Sequence, residues 1–354
     1  MDFRTLIDLP KGERPLSHAD RLLLLGSCFA DAIGERLAKS GFRCAVNPFG
    51  TLYNPLSVAQ GLERVLSGTP FTADDLQWFA GEGWGSWMHH SRFSRPEAQE
   101  AVEAMNSSLS AAHDLLILYH QGVRPLDDTR LTEGSASQAA GGPVILITLG
   151  TAWVYQLADD ASAVGRVVAN CHKQPERLFV RRRLSVDDLL AVWCPLLERL
   201  QREVPGVRLI FTVSPIRHLR DGAHENQLSK ATLLLFVDEL RKRVGSPALT
   251  YFPAYEILLD ELRDYRFYAD DMVHPSSPAV GYIWERFGDT FFSPATRRLI
   301  AEWESVQKAL AHRPFRPDSD EYRRFICQTL LKIEHIQKEC PNFDAAKEIA
   351  SLKR

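Results

Sequence analysis

The sequence predicts an α/β protein built on a doubly wound parallel sheet, with an inserted helical subdomain and C-terminal helices. Four short apolar runs are typical of buried strands, because each is bounded by Gly, Pro or polar residues: Arg21–Leu25, Val144–Leu149, Arg208–Val213 and Leu249–Phe252. Segments with helical periodicity separate these runs, and strands that alternate with helices indicate parallel pairing. In such a sheet the ligand crevice lies outside the carboxyl ends of the strands. The residues that follow each run are therefore the first candidates for function.

Helices are predicted at Ala30–Ser40, Ser185–Glu203, Glu225–Val244, Ala279–Phe287, Ala295–His312 and Ser319–Glu339. The pattern is clearest in Ser185–Glu203, where Leu and Trp recur at helical spacing and Ser185 is in position to cap the helix. Residues from about 57 to about 140 are too many for a simple crossover, so we expect an inserted helical subdomain that ends in a flexible linker at Ser135–Gly142. The predicted organisation is a main domain over residues 1–295 and a C-terminal helical extension over residues 296–354.

The composition is that of an ordinary globular protein and excludes several classes of partner. The chain has 354 residues, a formal net charge of −3, 45% hydrophobic residues and 25% charged residues. A nearly neutral chain has no global attraction for nucleic acid or anionic lipid, so we expect neither as a partner. No run of 18 apolar residues is present, so no membrane span is predicted. The six cysteines form no CxxC pair, which argues against a zinc knuckle and favours reduced thiols in the cytoplasm. The oligomeric state stays open.

A serine follows the first strand run directly, in Gly26-Ser27-Cys28. A serine on a tight turn from strand to helix lies beside the amides of the helix N-terminus, which can stabilise an oxyanion. Ser27 is therefore a candidate nucleophile, and the alternative is that it serves only as the helix cap, which is a common role for serine. Cys28 could also be nucleophilic, because a helix N-terminus lowers the pKa of a thiol. Adjacent residues point in different directions, and we expect Cys28 to be buried packing.

A second candidate group precedes the helix predicted at Ala279–Phe287, where Asp271 and His274 are spaced D-x-x-H. On a loop, this spacing lets a carboxylate hold the imidazole through Nδ1 and leaves Nε2 free to take a proton from a nucleophile. The topology brings the end of the first strand and this loop to one edge of the sheet. The alternative for such a histidine is an ordinary structural hydrogen bond.

Two motifs carry a resemblance to a known family: GSCFADAIGERL at Gly26–Leu37 and NPFGTLYNPLS at Asn47–Ser57. They resemble the GSCFA family, which is similar to the SGNH/GDSL hydrolase superfamily. The resemblance extends over residues from about 25 to about 275 and implies an SGNH-like, flavodoxin-like sheet. It also implies that Ser27 is the nucleophile, that His274 is the general base and that Asp271 orients the imidazole.

The sequence departs from the superfamily pattern at the oxyanion hole. Where that pattern has Gly-x-Asn-Asp, this chain has Gly150-Thr151-Ala152-Trp153, so Ala152 replaces the asparagine donor. Losing one donor costs on the order of 3 kcal/mol in other enzymes, so we expect a substitute. The candidates for oxyanion or substrate binding are the amide of Gly50, the side chains of Asn47, Asn54 and Asn170, and the Trp153 indole, with His90 and His172 as further pocket residues. Asn47 and Asn54 each precede a proline, for which turn chemistry is the alternative.

The function expected from the sequence is a serine esterase without a cofactor. It would remove a small acyl group, such as acetyl, from an ester, possibly on a carbohydrate, through an acyl-enzyme on Ser27. The alternative is an O-acyltransferase that passes the same acyl group to a sugar hydroxyl, and the third hypothesis is a non-catalytic carbohydrate-binding protein. No metal is expected, because no H-E-x-x-H or comparable signature is present.

Overall fold

A five-stranded parallel sheet forms the centre of the computed structural model, which describes residues 5–10, 14–117, 141–158, 166–245, 248–311 and 319–352. Its strands lie in the order β2-β1-β5-β9-β10. They are β1 (Arg21–Gly26), β2 (Arg43–Val46), β5 (Pro143–Leu149), β9 (Arg208–Val213) and β10 (Leu249–Tyr251). The chain runs from β1 to β2 on one side and then crosses to β5 on the other, which places the topological switch point between β1 and β5.

Helices connect and flank these strands. They are α1 (Cys28–Lys39), α2 (Pro55–Ser67), α3 (Ala98–Leu116), α4 (Val186–Glu203), α5 (Gly222–Val244), α6 (Ala254–Glu256), α7 (Ser277–Phe291), α8 (Pro294–Leu310), α9 (Asp320–Glu339) and α10 (Ala346–Leu352). The structure confirms the predicted fold class, the four predicted strands and the cap of α4, where the Ser185 hydroxyl accepts a hydrogen bond from the Asp188 amide.

The sheet is covered on both faces, because successive strand residues point to opposite sides. Leu22 and Leu24 of β1 pack into one apolar cluster with α1 and α7. Leu23 and Leu25 pack into the other cluster with α2, α3, α4 and α5. Both layers are therefore built from the same apolar runs, as a doubly wound sheet requires.

Within residues 57–117, helices α2 and α3 pack directly on the central sheet and share its core, so they form part of one helical layer. Between them lies a short antiparallel hairpin of β3 (Gln77–Phe79) and β4 (Gly83–Gly85). The predicted linker at residues 135–142 lies almost entirely outside the described residues.

A second sheet stands beside the carboxyl end of β5. It is antiparallel, in the order β7-β6-β8, and consists of β6 (Trp153–Leu157), β7 (Val167–Val168) and β8 (Phe179–Arg183). The C-terminal helices α8, α9 and α10 share a separate apolar cluster, and the Trp303 indole of α8 donates to the carbonyl of Lys39 at the end of α1. Within the described ranges, no helix combines the length and apolar character needed to cross a bilayer.

Candidate active site

The turn between β1 and α1 is held by backbone geometry that only glycine permits. Gly26 has a φ of +140°, and a Cβ on it would lie 2.1 Å from the carbonyl oxygen of Thr148 on β5. Asn47 fixes the same turn from the end of β2, because its Oδ1 accepts from the Gly26 amide and its Nδ2 donates to Asp31 Oδ1, each at 2.8 Å. Asn47 is itself fully buried, and its backbone adopts the left-handed conformation, with a φ of 45°. It positions the turn and does not line the cavity described below.

Ser27 occupies the cap position of α1, with its amide donating to the Thr148 carbonyl at 3.0 Å. Its side chain is buried, and the hydroxyl has no hydrogen-bond partner among the described residues. Cys28, the first residue of α1, is only half-buried. The two neighbours therefore face different surroundings.

A cavity of about 440 Å³ opens at the carboxyl ends of β1, β5 and β9. Its wall is contributed by the β1–α1 turn, the loop after β2, the second sheet, the loop after β9 and the loop before α7. The lining residues include Cys28, Tyr53, Asn54, His90, Thr151, Trp153, Tyr155, Asn170, Arg181, Arg217, His218, Arg220 and His274. Ser27 is not among the residues that line it.

Asp271 and His274 form the hydrogen-bonded pair that their spacing predicts, with Asp271 Oδ2 and His274 Nδ1 2.6 Å apart. The other carboxylate oxygen of Asp271 accepts from the amides of Val273 and His274, at 2.9 Å each. These two backbone hydrogen bonds, followed by the bond to the imidazole, lower the pKa of Asp271 to about 2. His274 lines the cavity, and its Nε2 carries no hydrogen bond to any described residue. The arrangement suits an imidazole that accepts a proton through Nε2.

Three of the candidate oxyanion donors are already committed to other partners. The Gly50 amide donates to the backbone carbonyl of Asn47 at 2.8 Å. The Oδ1 and Nδ2 atoms of the Asn47 side chain both form hydrogen bonds in the β1–α1 turn. Asn54 lines the cavity, but its side chain caps α2 by accepting from the Ser57 amide and donating to the Ser57 hydroxyl. In the structure these polar groups satisfy local backbone and side-chain partners, as turn residues do, and their role in oxyanion binding stays a prediction.

The loop after β5 offers no free amide in place of the missing asparagine. The amides of Gly150 and Thr151 both donate to the Tyr53 carbonyl at 2.9 Å, and the Ala152 amide donates to the Ser229 hydroxyl at 2.8 Å. Ala152 is completely buried. The backbone amides of Gly150, Thr151 and Ala152 therefore supply no donor to an oxyanion.

Trp153 and Asn170 are the two predicted side-chain donors whose N–H groups make no hydrogen bond to any described residue. Both line the cavity. The Trp153 Nε1 is buried without a hydrogen-bond partner among the described residues. Asn170 uses its Oδ1 to accept from the His172 amide, and its Nδ2 has no described partner. The Asn170 Nδ2 can donate to an anionic oxygen in the cavity, whereas the unpaired Trp153 N–H is buried in the cavity wall and can donate only where the wall gives it access.

The two predicted pocket histidines have different environments. His90 lines the cavity, and its Nδ1 accepts from the Arg92 amide at 3.2 Å. Burial, followed by the charge of Arg92, lowers the pKa of His90. His172 is buried away from the cavity, stacked on Phe79 and bonded through both ring nitrogens to Glu82 and to the Ser86 carbonyl. The structure does not bring His172 into the cavity, and neither of its ring nitrogens is free.

A buried lysine lies beneath the cavity, and its role was not predicted from the sequence. Lys230 of α5 donates to the carbonyls of Gly150 and Ser214, each at 2.7 Å, and thereby joins the ends of β5 and β9. Burial lowers its pKa to about 7. The sequence held no signal for this role, because a lysine on a helix is usually exposed. Only the packing of α5 against the strand ends reveals it.

Three arginines, Arg181, Arg217 and Arg220, also line the cavity. Arg181 is paired with Asp221, and its guanidinium lies over the Trp153 ring at 4.4 Å. Arg220 is paired with Glu176. Arg217 has no carboxylate partner within the described ranges. The loop after β9 was a candidate because it follows a strand, but the contribution of Arg181 from β8 depends on the second sheet, which the sequence analysis did not predict.

Two family models match separate parts of the chain. The model of the GSCFA family matches residues 21–119 and 128–287, which contain the β1–α1 turn and the Asp271–His274 loop. The model described as the C-terminal domain of GSCFA domain proteins matches residues 303–354. Searches of curated proteins and of solved structures each gave no match. Because the family models cover most of the chain, including both parts of the candidate site, the protein belongs to the GSCFA family.

Proposed function

We propose that the protein is an acyl hydrolase that cleaves a small ester through a covalent acyl-enzyme, with Asp271 and His274 as its proton-transferring pair. One observation carries the proposal. The Asp271–His274 hydrogen bond of 2.6 Å lies at a cavity at the carboxyl ends of the parallel strands, with the imidazole lining that cavity. This is the arrangement in which an oriented imidazole activates a nucleophile for acyl transfer. The resemblance to SGNH hydrolases supports the same reaction class.

The proposed reaction follows from the roles of these groups. His274 takes a proton through Nε2 from a nucleophile in the β1–α1 turn, which attacks the ester carbonyl. Asp271 holds the imidazolium that forms, and the N–H groups of Trp153 and Asn170 stabilise the anionic oxygen of the tetrahedral intermediate. The proton then passes to the departing alcohol as the carbon–oxygen bond breaks. Water resolves the acyl-enzyme by the same steps.

The cavity supports a compact substrate with a polar alcohol portion. Its volume of about 440 Å³ accommodates a small acyl group, such as acetyl, together with part of a sugar. Tyr53, Trp153 and Tyr155 offer ring surface, while His90, Asn170 and His218 offer polar groups. We therefore propose an O-acetylated carbohydrate as the substrate class. Transfer of the acyl group to a sugar hydroxyl is the alternative outcome of the same acyl-enzyme.

The test is a panel of p-nitrophenyl esters from acetyl to octanoyl, assayed with the wild-type protein and with His274→Gln. The matched control is His335→Gln, because His335 is an exposed histidine that also pairs with a carboxylate, Glu339. We expect turnover of the short esters, a loss of about 10³-fold or more in His274→Gln and no loss in the control.

The assay is then repeated with a sugar acceptor, and its products are analysed. This distinguishes hydrolysis of the acyl-enzyme from transfer of the acyl group to the sugar. Released acetate indicates hydrolysis, whereas an acetylated sugar indicates transfer. Turnover that is equal in wild type and His274→Gln would contradict the proposed function.

A further inference from the structure

We propose that Cys28, and not Ser27, is the nucleophile of this site, an inference that rests on the acyl-transfer function proposed above. Cys28 and His274 line the same cavity, whereas Ser27 does not. The nucleophile and its base must share the space in which the substrate carbonyl is held. Of the two neighbouring candidates, only Cys28 meets this requirement.

The start of α1 explains why adjacent residues differ. Successive residues of an α-helix are rotated by about 100° around its axis, so Ser27 at the cap and Cys28 at the first helical position cannot face the same way. The Asn47–Gly26 hydrogen bond and the bond from the Ser27 amide to Thr148 fix where the helix begins. With the turn held in this way, Ser27 is buried, whereas Cys28 borders the cavity and also packs against the apolar cluster of α1 and α7.

Neither Ser27 nor Cys28 hydrogen-bonds to His274 in the structure, so access to the cavity is what separates the two residues. A serine hydroxyl becomes nucleophilic only when a base lies within hydrogen-bond reach. The Ser27 hydroxyl is buried and has no acceptor among the described residues. Cys28 is half-buried and meets the cavity directly.

The electrostatics around Cys28 favour a resting thiol over a preformed thiolate. Burial, followed by the negative charge of Asp31, raises the pKa of Cys28. The amides of the first turn and the positive charge of Lys230 act in the opposite direction but do not reverse the shift. Because the thiol is neutral at rest, it depends on His274 to remove its proton during attack.

The chemical step balances with the groups present. Cys28 Sγ forms a bond to the acyl carbon while its proton moves to His274 Nε2. The carbon–oxygen bond of the ester then breaks, and the alkoxide takes that proton and leaves as an alcohol. Water adds to the resulting thioester and gives a proton to His274. Breaking the carbon–sulfur bond releases the acid and returns the proton to the thiol.

The first experiment locates the acyl group. Protein treated with p-nitrophenyl acetate and quenched in acid is digested, and the acetylated residue is identified by tandem mass spectrometry. We expect acetyl on Cys28 in the wild type and in Ser27→Ala, and none in Cys28→Ala. Cys327→Ser is the matched control, since that thiol is exposed and outside the cavity. Acetyl on Ser27 in the wild type would overturn the inference. So would acetylation of any residue of the β1–α1 turn in the Cys28→Ala variant.

The second experiment needs no ester turnover, so it separates failure of this inference from failure of the proposed function. Iodoacetamide alkylation rates are measured for Cys28 and Cys327 at pH 7, in wild type and in His274→Gln. A fall of about tenfold in the Cys28 rate, with Cys327 unchanged, supports base assistance by His274. Equal Cys28 rates in the two proteins would overturn it. Absence of ester turnover together with a His274-dependent thiol would reject the ester substrate and retain the Cys28–His274 pair.

Discussion

His274 and Cys28 line one cavity, although Cys28 begins the first helix and His274 precedes the last helix that packs on the sheet. The doubly wound topology produces this meeting, because both residues lie at the carboxyl edge of parallel strands next to the switch point between β1 and β5. The Asp271 carboxylate then orients the imidazole from a loop that is independent of the sheet.

Asp271→Asn should preserve the fold and lower kcat by about 10³- to 10⁴-fold, because an amide orients the wrong tautomer and does not stabilise the imidazolium. Asp271 is half-exposed, so its replacement leaves the core intact. Steady-state kinetics measure the loss of kcat, and a thermal melt checks that the fold is preserved. Asp264→Asn is the control, since that exposed aspartate also bonds a backbone amide two residues on. Near-normal kcat in Asp271→Asn would remove Asp271 from the mechanism.

Trp153→Phe and Asn170→Ala should lower kcat far more than they change KM, because a donor to the oxyanion acts mainly on charge present in the transition state. We expect a loss of about 10²-fold for the dominant donor. Trp78→Phe is the control, because Trp78 is an exposed tryptophan of β3. If both variants keep kcat within about twofold of wild type, neither side chain donates to the oxyanion.

His89→Leu should stabilise the protein, and more so at acid pH. His89 is buried among Phe49, Phe71 and Phe93, and neither ring nitrogen has a described partner. Burial lowers its pKa to about 3. At pH values below the ordinary pKa of histidine and above about 3, His89 is protonated in the unfolded chain but neutral in the folded chain. The free energy of unfolding therefore falls as the pH falls through this range.

The leucine variant lacks this titration, and at pH 8 it also removes two unsatisfied polar atoms that cost about 1–3 kcal/mol. Urea unfolding at pH 8 and pH 5 measures the difference from wild type, with the exposed His335→Leu as control. A difference that stays constant with pH, or a destabilised variant at both values, would show that His89 does not carry a pH-linked penalty.

Asp31→Asn should lower the pKa of the Cys28 thiol and raise its alkylation rate at pH 7 several-fold, because the change removes a negative charge that raises this pKa. The asparagine oxygen can still accept from Asn47 Nδ2, so the turn is retained. The pH dependence of iodoacetamide labelling gives the thiol pKa. Glu35→Gln on the same helix is the control, as Glu35 is exposed and paired with Lys39. An unchanged thiol pKa in Asp31→Asn would exclude this influence.

The sequence predicted the elements whose signal is local. The apolar run at Arg208–Val213 matches β9 residue for residue, and the D-x-x-H spacing predicted the bond between Asp271 and His274. Strand β2 was missed because Arg43–Val46 is a short, half-buried edge strand without an apolar run. The helix cap at Ser185 was predicted from its position at the start of a pattern with helical spacing.

The rest of the site depends on contacts between distant segments. Asn47 was predicted either as a donor to substrate or as a turn residue, and its bonds to Gly26 and Asp31 exist only because β2 lies beside β1. Which of Ser27 and Cys28 meets the cavity depends on where α1 begins, to within one residue. A motif cannot specify that, because both residue types are compatible with a turn between strand and helix.

A double-mutant cycle on Cys28 and His274 tests the central claim most directly. The values of kcat/KM for a short acyl ester are measured in wild type, Cys28→Ala, His274→Gln and the double variant, with substrate hydrolysis in buffer subtracted. Two residues that act as one catalytic unit have strongly non-additive effects. We predict that each single variant loses about 10³-fold or more and that the double variant is no slower than the slower single one. Losses that multiply in the double variant, or a Cys28→Ala protein with wild-type kcat/KM, would contradict the claim that this thiol and this imidazole work together.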